Sequence, residues 1–321
     1  MDNAVSSELV IACEIGGTKL QAALGTREGL IVHRLRGTAA AAQGARALLA
    51  WFEESVRQLV EIAAARNAQV VGLGVGFGGP VETAVGRVLV SHQVSGWDDV
   101  PLKGWFEEKF GFPASVINDS NAAGWAEYRL GAGRGTSTFC YMNIGSGIGG
   151  AFVIDGKLHD GQGFGAAEIG HTYIPDWTQS GAGVADKVER LCSGWAIERR
   201  VRANAPLPSG SPLAQLCDEN RDRITCAMLA QAAAQGDAYA MLTIEEVALG
   251  IGTALSNVIT LIHPERIAMG GGVSLMGDIL LNPIRRHVDA LVFRPYRDHY
   301  EIVPADLGED VVLAGGLLLA P

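Results

Sequence analysis

Glu14, Thr18 and Lys19 bracket a pair of glycines in the stretch EIGGTK, and residues of these types at this spacing could do chemistry together. Exposed backbone amides with a hydroxyl and an ammonium make a cradle for an oxyanion. The glycines let something large approach the backbone and permit φ > 0 without strain. A carboxylate beside such a cradle repels an anion unless a cation such as Mg²⁺ lies between them. The stretch therefore points to phosphate with magnesium, although a Gly-Gly turn after a strand is also an ordinary hairpin feature. A second glycine turn, Gly145-Ser146-Gly147, sits in NIGSGIGG. The spacing G-x-x-x-x-G-K-[ST] is absent, so a Walker-type nucleotide loop is excluded.

The elements that must carry these turns occur twice. Residues 9–14, 20–25 and 30–35 read as strands separated by the glycine turn and by Arg27-Glu28-Gly29. Residues 139–161 repeat that order, with Asp155-Gly156 as a hairpin turn. Residues 45–66 carry apolar positions at helical spacing and lead to strand 70–77 and Gly78-Gly79-Pro80. In the second half, helix 239–262 stops at His263-Pro264 and leads to strand 266–269 and Gly270-Gly271-Gly272. Strand 114–118 with the Ala-rich helix after it matches strand 301–304 with helix 309–320. Alternating short strands and helices predict an α/β architecture of two similar halves, with glycine turns facing one another across a cleft.

Composition narrows the function. With 321 residues and 48% hydrophobic content the chain can build one large domain or two ordinary ones. A net charge of −10, from 25 basic and 35 acidic side chains without a basic run, speaks against nucleic acid and acidic lipid as partners. No apolar run approaches the ~20 residues of a membrane helix, and MDNAVSSELVIAC lacks the pattern of a signal peptide. Five scattered cysteines without a Cys-x-x-Cys pair suit reduced thiols in a cytoplasm.

Seven motifs in order resemble the ROK family of sugar kinases: E-I-G-G-T-K (14–19), G-G-P-V (78–81), N-D-S-N-A-A (118–123), I-G-S-G-I-G-G (144–150), E-I-G-H (168–171), S-G-W-A-I (193–197) and G-G-G-V-S (270–274). The resemblance runs essentially end to end. It implies a duplicated ribonuclease H-like fold of the actin, Hsp70 and sugar-kinase type. A first lobe would hold residues 1–118 and the C-terminal helix from about 306 to 321; a second would hold residues 119–305. It implies ATP and Mg²⁺ as cofactors, a hexose as acceptor and a homodimer. Asp119 would be the base that deprotonates the sugar hydroxyl, against the alternative of a helix N-cap; Asn121 would be the cap or a support. Gly79, Asn118, Asp119, Glu168, His171 and Glu189 would contact the sugar, with Glu168 and His171 sharing a face. Gly16, Gly17, Thr18 and Lys19 would serve the phosphates with Gly145, Ser146 and Gly147, while Gly270, Gly271 and Gly272 flank the adenosine.

Two departures qualify the resemblance. The family's zinc-binding cysteines fall on Ser180, Ala182 and Lys187, none of which supplies a thiolate, so no zinc is expected, and the segment is either held by packing, with Trp177 as the candidate, or mobile. Glu14 stands where the family usually has aspartate and would reach Mg²⁺ directly or through water. The resemblance implies ATP-dependent phosphorylation of glucose at O6. Alternatives are fructose, mannose or an N-acetylated amino sugar, polyphosphate as donor, a sugar-binding pseudokinase, and a sugar-sensing repressor, which the net charge disfavours.

Overall fold

The computed structural model describes residues 7–16, 19–38, 44–91, 95–179, 183–203 and 207–321. The chain divides into two compact units, Met1–Arg134 with Ala151–Ala166 and Leu307–Pro321, and Gly135–Gly150 with Ala167–Asp306.

The first unit begins with strands β1 (Glu8–Ile15), β2 (Lys19–Gly25) and β3 (Ile31–Thr38), helix α1 (Gly44–Ala65), strand β4 (Gln69–Phe77), the small hairpin β5 (Val81–Glu82) and β6 (Arg87–Val88), helix α2 (Leu102–Phe110), strand β7 (Ala114–Asn118) and helix α3 (Asp119–Leu130). Its sheet is ordered β3-β2-β1-β4-β7, with β1, β2 and β3 antiparallel and β1, β4 and β7 parallel. β1 reads as a continuous apolar run because it is covered on both faces. Leu9, Ile11, Cys13 and Ile15 pack with Leu48, Phe52, Val56 and Leu59 of α1. Val10 and Ala12 face the other way, toward the C-terminal helix. Glu14 shares that second face by strand alternation.

The second unit holds strand β8 (Phe139–Ile144) and the start of β9 (Ile148–Ile154), which runs on into the hairpin strand β10 (Lys157–Leu158). It continues with β11 (Tyr173–Pro175), β12 (Ala185–Lys187), α4 (Val188–Cys192), α5 (Gly194–Ala203), α6 (Pro212–Leu216), α7 (Cys226–Ala234), α8 (Ala238–Ile262), β13 (Arg266–Gly270), α9 (Asp278–Leu291) and β14 (Glu301–Pro304). The second sheet is ordered β10-β9-β8-β13-β14, and β8, β13 and β14 are parallel. α8 ends where His263 adopts a left-handed conformation (φ 51°) and donates its N–H to Ile259, just before Pro264. Although α8 is long and apolar enough to cross a membrane, two thirds of that stretch is buried inside the protein.

Helix α10 (Val311–Leu319) returns to the first unit and packs on β1, β4 and α3. The approach is close: a methyl on Gly315 would stand 2.1 Å from the Ala122 carbonyl, and one on Gly74 would stand 2.0 Å from that of Gly316. Only glycine fits at either place. The division falls beyond α3 and not at residue 118. Buried Glu127 of α3 accepts the backbone N–H groups of Ala132 (2.9 Å) and Leu307 (2.8 Å), binding helix, loop and C-terminal segment into one body.

Candidate active site

In the first unit the candidate residues gather at the C-terminal ends of β1, β4 and β7, where open α/β sheets bind ligands. Ile15 is opposite Phe77 and Phe77 opposite Asn118, so the three strands finish side by side. The Gly78 N–H donates to the Ile15 carbonyl at 2.9 Å. A methyl on Gly78 would lie 3.3 Å from Asp119 Oδ2 and 3.6 Å from Gly16 Cα. The structure thus brings Gly16, Gly78, Gly79, Asn118 and Asp119 into one place. Gly17 and Thr18 lie outside the described residues.

Asn118 has a role that residue type alone did not assign to it. Its Oδ1 accepts the N–H groups of Ser120 (2.9 Å) and Asn121 (3.1 Å), making it the N-cap of α3. Its Nδ2 donates to the Gly79 carbonyl at 3.1 Å. The sequence reading offered Asp119 or Asn121 as the cap; the structure corrects this, because the cap must precede the first helical residue and Asp119 is that residue. Asn121, almost fully buried, donates from Nδ2 to the Ala166 carbonyl at 3.2 Å and so supports the loop before the E-I-G-H motif. Asp119 is half-buried; its Oδ1 accepts the Ser120 N–H (2.7 Å) and hydroxyl (3.2 Å), and its Oδ2 lies on the Gly78 side.

Glu14 is half-buried, and burial raises its pKa above the ordinary carboxylate value, opposed by a hydrogen bond from Gln21 and by the charge of Lys19, and reinforced by Asp119 and Asp310. Lys19 Nζ stands 3.6 Å from Glu309 Oε2, so its charge is shared with the N-terminal approach to α10. Coupled carboxylates with hard oxygen donors suit Mg²⁺, which takes one or two protein carboxylates and fills its octahedron with water and phosphate oxygens. Among the described residues no group of three or more His, Cys, Asp or Glu side chains is arranged to hold a metal by itself.

The second unit gathers the remaining glycines. Gly145 N–H donates to the Gly147 carbonyl at 2.8 Å, and Val273 N–H to the Ile144 carbonyl at 2.9 Å. Gly271, at φ +83°, lies so close that a methyl there would be 2.5 Å from the Ile144 oxygen. The turns 145–147 and 270–272 therefore sit together at the ends of neighbouring parallel strands β8 and β13. Glu189, in the first turn of α4, accepts the Ile148 N–H at 2.8 Å, and a methyl on Gly147 would be 2.6 Å from that same oxygen. This carboxylate is tied to the glycine turn.

Glu168 immediately precedes a 3-10 turn, Ile169–His171, and its carbonyl accepts the His171 N–H at 3.0 Å; both residues are exposed. His171 Nδ1 lies 2.9 Å from Lys187 Nζ, held opposite by the pairing of Tyr173 with Lys187 across β11 and β12. Lys187 occupies one of the three cysteine positions of the zinc motif; Ser180 and Ala182 lie outside the described residues. Trp177 does pack as expected: its ring fills the notch at Gly250, where a methyl would come within 2.8 Å of it, and the Arg200 guanidinium lies 5.6 Å from its centre.

Residues 10–321 match the profile of the ROK family. The chain is 32% identical over 316 residues to a glucokinase of Streptomyces coelicolor, covering 97% of both chains. It is 30% identical over 315 residues to a glucokinase of Halalkalibacterium halodurans, covering 97% of this chain and 94% of that one. A crystal structure of a ROK family glucokinase from Streptomyces griseus in complex with glucose and AMPPNP superposes with a TM-score of 0.81 at 33% identity, covering 97% of this chain and 99% of that one. The fold is that of the ROK sugar kinases, of the actin and Hsp70 type. The chain belongs to the ROK family.

Proposed function

We propose that this protein transfers the γ-phosphoryl group of ATP to O6 of glucose, with Asp119 as general base and Mg²⁺ as cofactor. The observation that carries the reading is the convergence of Asp119 Oδ2 with Gly78 and Gly16 at the ends of β1, β4 and β7. The sugar oxygen attacks the γ-phosphorus, the bond to ADP breaks, and the hydroxyl proton passes to Asp119. The brace from Ser120 to Asp119 Oδ1 fixes the orientation of the carboxylate that would accept that proton. Glu14 would hold Mg²⁺, whose chemistry is to neutralise phosphate charge. Gly16, Gly17, Thr18, Lys19 and Gly145–Gly147 would cradle the phosphates, Gly270–Gly272 the adenosine. Gly79, Asn118, Glu168, His171 and Glu189 would surround the sugar.

Glucose is favoured by the two curated relatives at 30% and 32% identity, both glucokinases, and by the Streptomyces griseus structure that holds glucose. The proposal includes a zinc-free, cytoplasmic homodimer that acts on a small sugar and binds neither nucleic acid nor membrane. A coupled assay of ADP release over glucose, fructose, mannose and N-acetylmannosamine tests it. Asp119→Ala should lose at least 100-fold in turnover, the lower range for a general base, with sugar affinity retained. A near-normal rate in that variant removes Asp119 from the chemistry.

A further inference from the structure

Gln21 is fully buried in the middle of β2, a strand otherwise made of apolar side chains after Lys19. A buried amide is costly unless both its ends are bonded. Here both are. Its Nε2 donates to Glu14 Oε2 at 2.7 Å, and its Oε1 accepts from Arg36 Nε at 3.2 Å. Arg36 in turn donates from Nη2 to Glu309 Oε2 at 2.9 Å. Strand register explains the alignment: Glu14 is directly opposite Gln21, and Gln21 directly opposite Arg36.

The direction of this chain is fixed by chemistry. Guanidinium can only donate, so the amide oxygen must face Arg36 and the amide nitrogen must face Glu14. Glu14 then has to accept on Oε2, which occupies one lone pair of that oxygen and fixes the rotation of the carboxylate, so Oε1 is the less encumbered oxygen for another partner. A glutamate has one more rotatable bond than an aspartate, and this brace removes the added freedom.

We propose that Gln21 is a positioning residue that locks the Glu14 carboxylate as a single-oxygen donor toward the cation, with Arg36 and Glu309 setting the polarity of the brace. This rests on the reading of Glu14 as the residue facing Mg²⁺. The hydrogen bond from Gln21 also works against the burial that raises the Glu14 pKa.

The test is a double-mutant cycle read by calorimetric ADP binding with Mg²⁺ and with EDTA, alongside the ligand-free melting temperature. Gln21→Met should weaken the Mg²⁺-dependent gain in ADP affinity by about tenfold, the scale of one hydrogen bond to a charged group, and leave Mg²⁺-free affinity unchanged. In a Glu14→Gln background the same substitution should have no further effect. An equal loss in both backgrounds, or no loss in either, overturns the proposal. Glu14→Gln alone separates the two layers: if it keeps the full Mg²⁺ gain, Glu14 does not face the cation and both readings fall. Should Gln21→Met not fold, Arg36→Met breaks the brace from the exposed side. It should cost about threefold only while Glu14 is present; an unchanged affinity refutes the brace.

Discussion

Asn118→Ala separates capping from ligand contact at the point where both were assigned to one side chain. Alanine removes the acceptor for the Ser120 and Asn121 N–H groups and the donor to the Gly79 carbonyl. Losing an asparagine N-cap costs about 1 kcal/mol, and the Gly79 hydrogen bond contributes about 1 kcal/mol more. The sum of about 2 kcal/mol should lower the ligand-free melting temperature by about 4–8 °C for a unit of this size. Asn118→Ser can still cap but is too short to reach Gly79, so it should lose about half as much. Asp119 begins the same helix, so turnover in the ADP-release assay should fall with the cap, further in Asn118→Ala than in Asn118→Ser. Differential scanning calorimetry without sugar or nucleotide is the decisive measurement. If Asn118→Ala melts with the wild type and only raises the sugar KM, then the asparagine is a sugar ligand and the capping account is wrong.

Gly147→Ala would place a methyl 2.6 Å from Glu189 Oε2 and displace the carboxylate from the Ile148 N–H; because the same carboxylate is assigned to the sugar and its partner to the glycine turn, nucleotide KM and sugar KM should both rise, each by about tenfold, the scale of a lost charge-assisted bond, as separate titrations will show. Lys187→Met removes the donor to His171 Nδ1; because the contact is solvent-exposed, the sugar KM should rise only about threefold or less with kcat unchanged, and a tenfold fall in kcat would refute a positioning role. Asp237 caps α8, accepting the N–H groups of Ala240 and Leu213; burial pushes its pKa up, but these bonds and the Ser211 hydroxyl outweigh that and hold it below the ordinary aspartate value. Its contribution to stability is therefore present above the unfolded pKa, near 3.8, and lost as pH falls through the lower folded value. Asp237→Ala should cost about 1–2 kcal/mol at pH 7, and denaturant melts should show the gap from wild type closing below pH 3.8.

What could be read before folding was whatever depends on spacing along the chain. Strands expected at 9–14, 20–25, 70–77, 114–118 and 301–304, and helices at 45–66 and 239–262, all appear within two residues of their expected ends, because period and flanking glycines mark them locally. The short helices α4–α7 and the hairpin of β11 and β12 carry no such period, since their few apolar residues are chosen by contacts made elsewhere. The site divides the same way. Asp119, Gly78 and the glycine turns announce themselves by type, but which residue of N-D-S-N caps α3 is a question of backbone geometry, and type alone favoured the wrong ones. Gln21 shows where a signal existed and required one more step. A tight turn centred on Gly16-Gly17 would by counting outward put Lys19 opposite Glu14; the register that pairs Ile15 with Leu20 brings Gln21 there instead, and a lone amide in the apolar strand LQAAL already demands a partner. The polar residue that violates a strand's pattern is the one to ask about, because burial makes its bonds obligatory and its neighbours across the sheet are fixed by register.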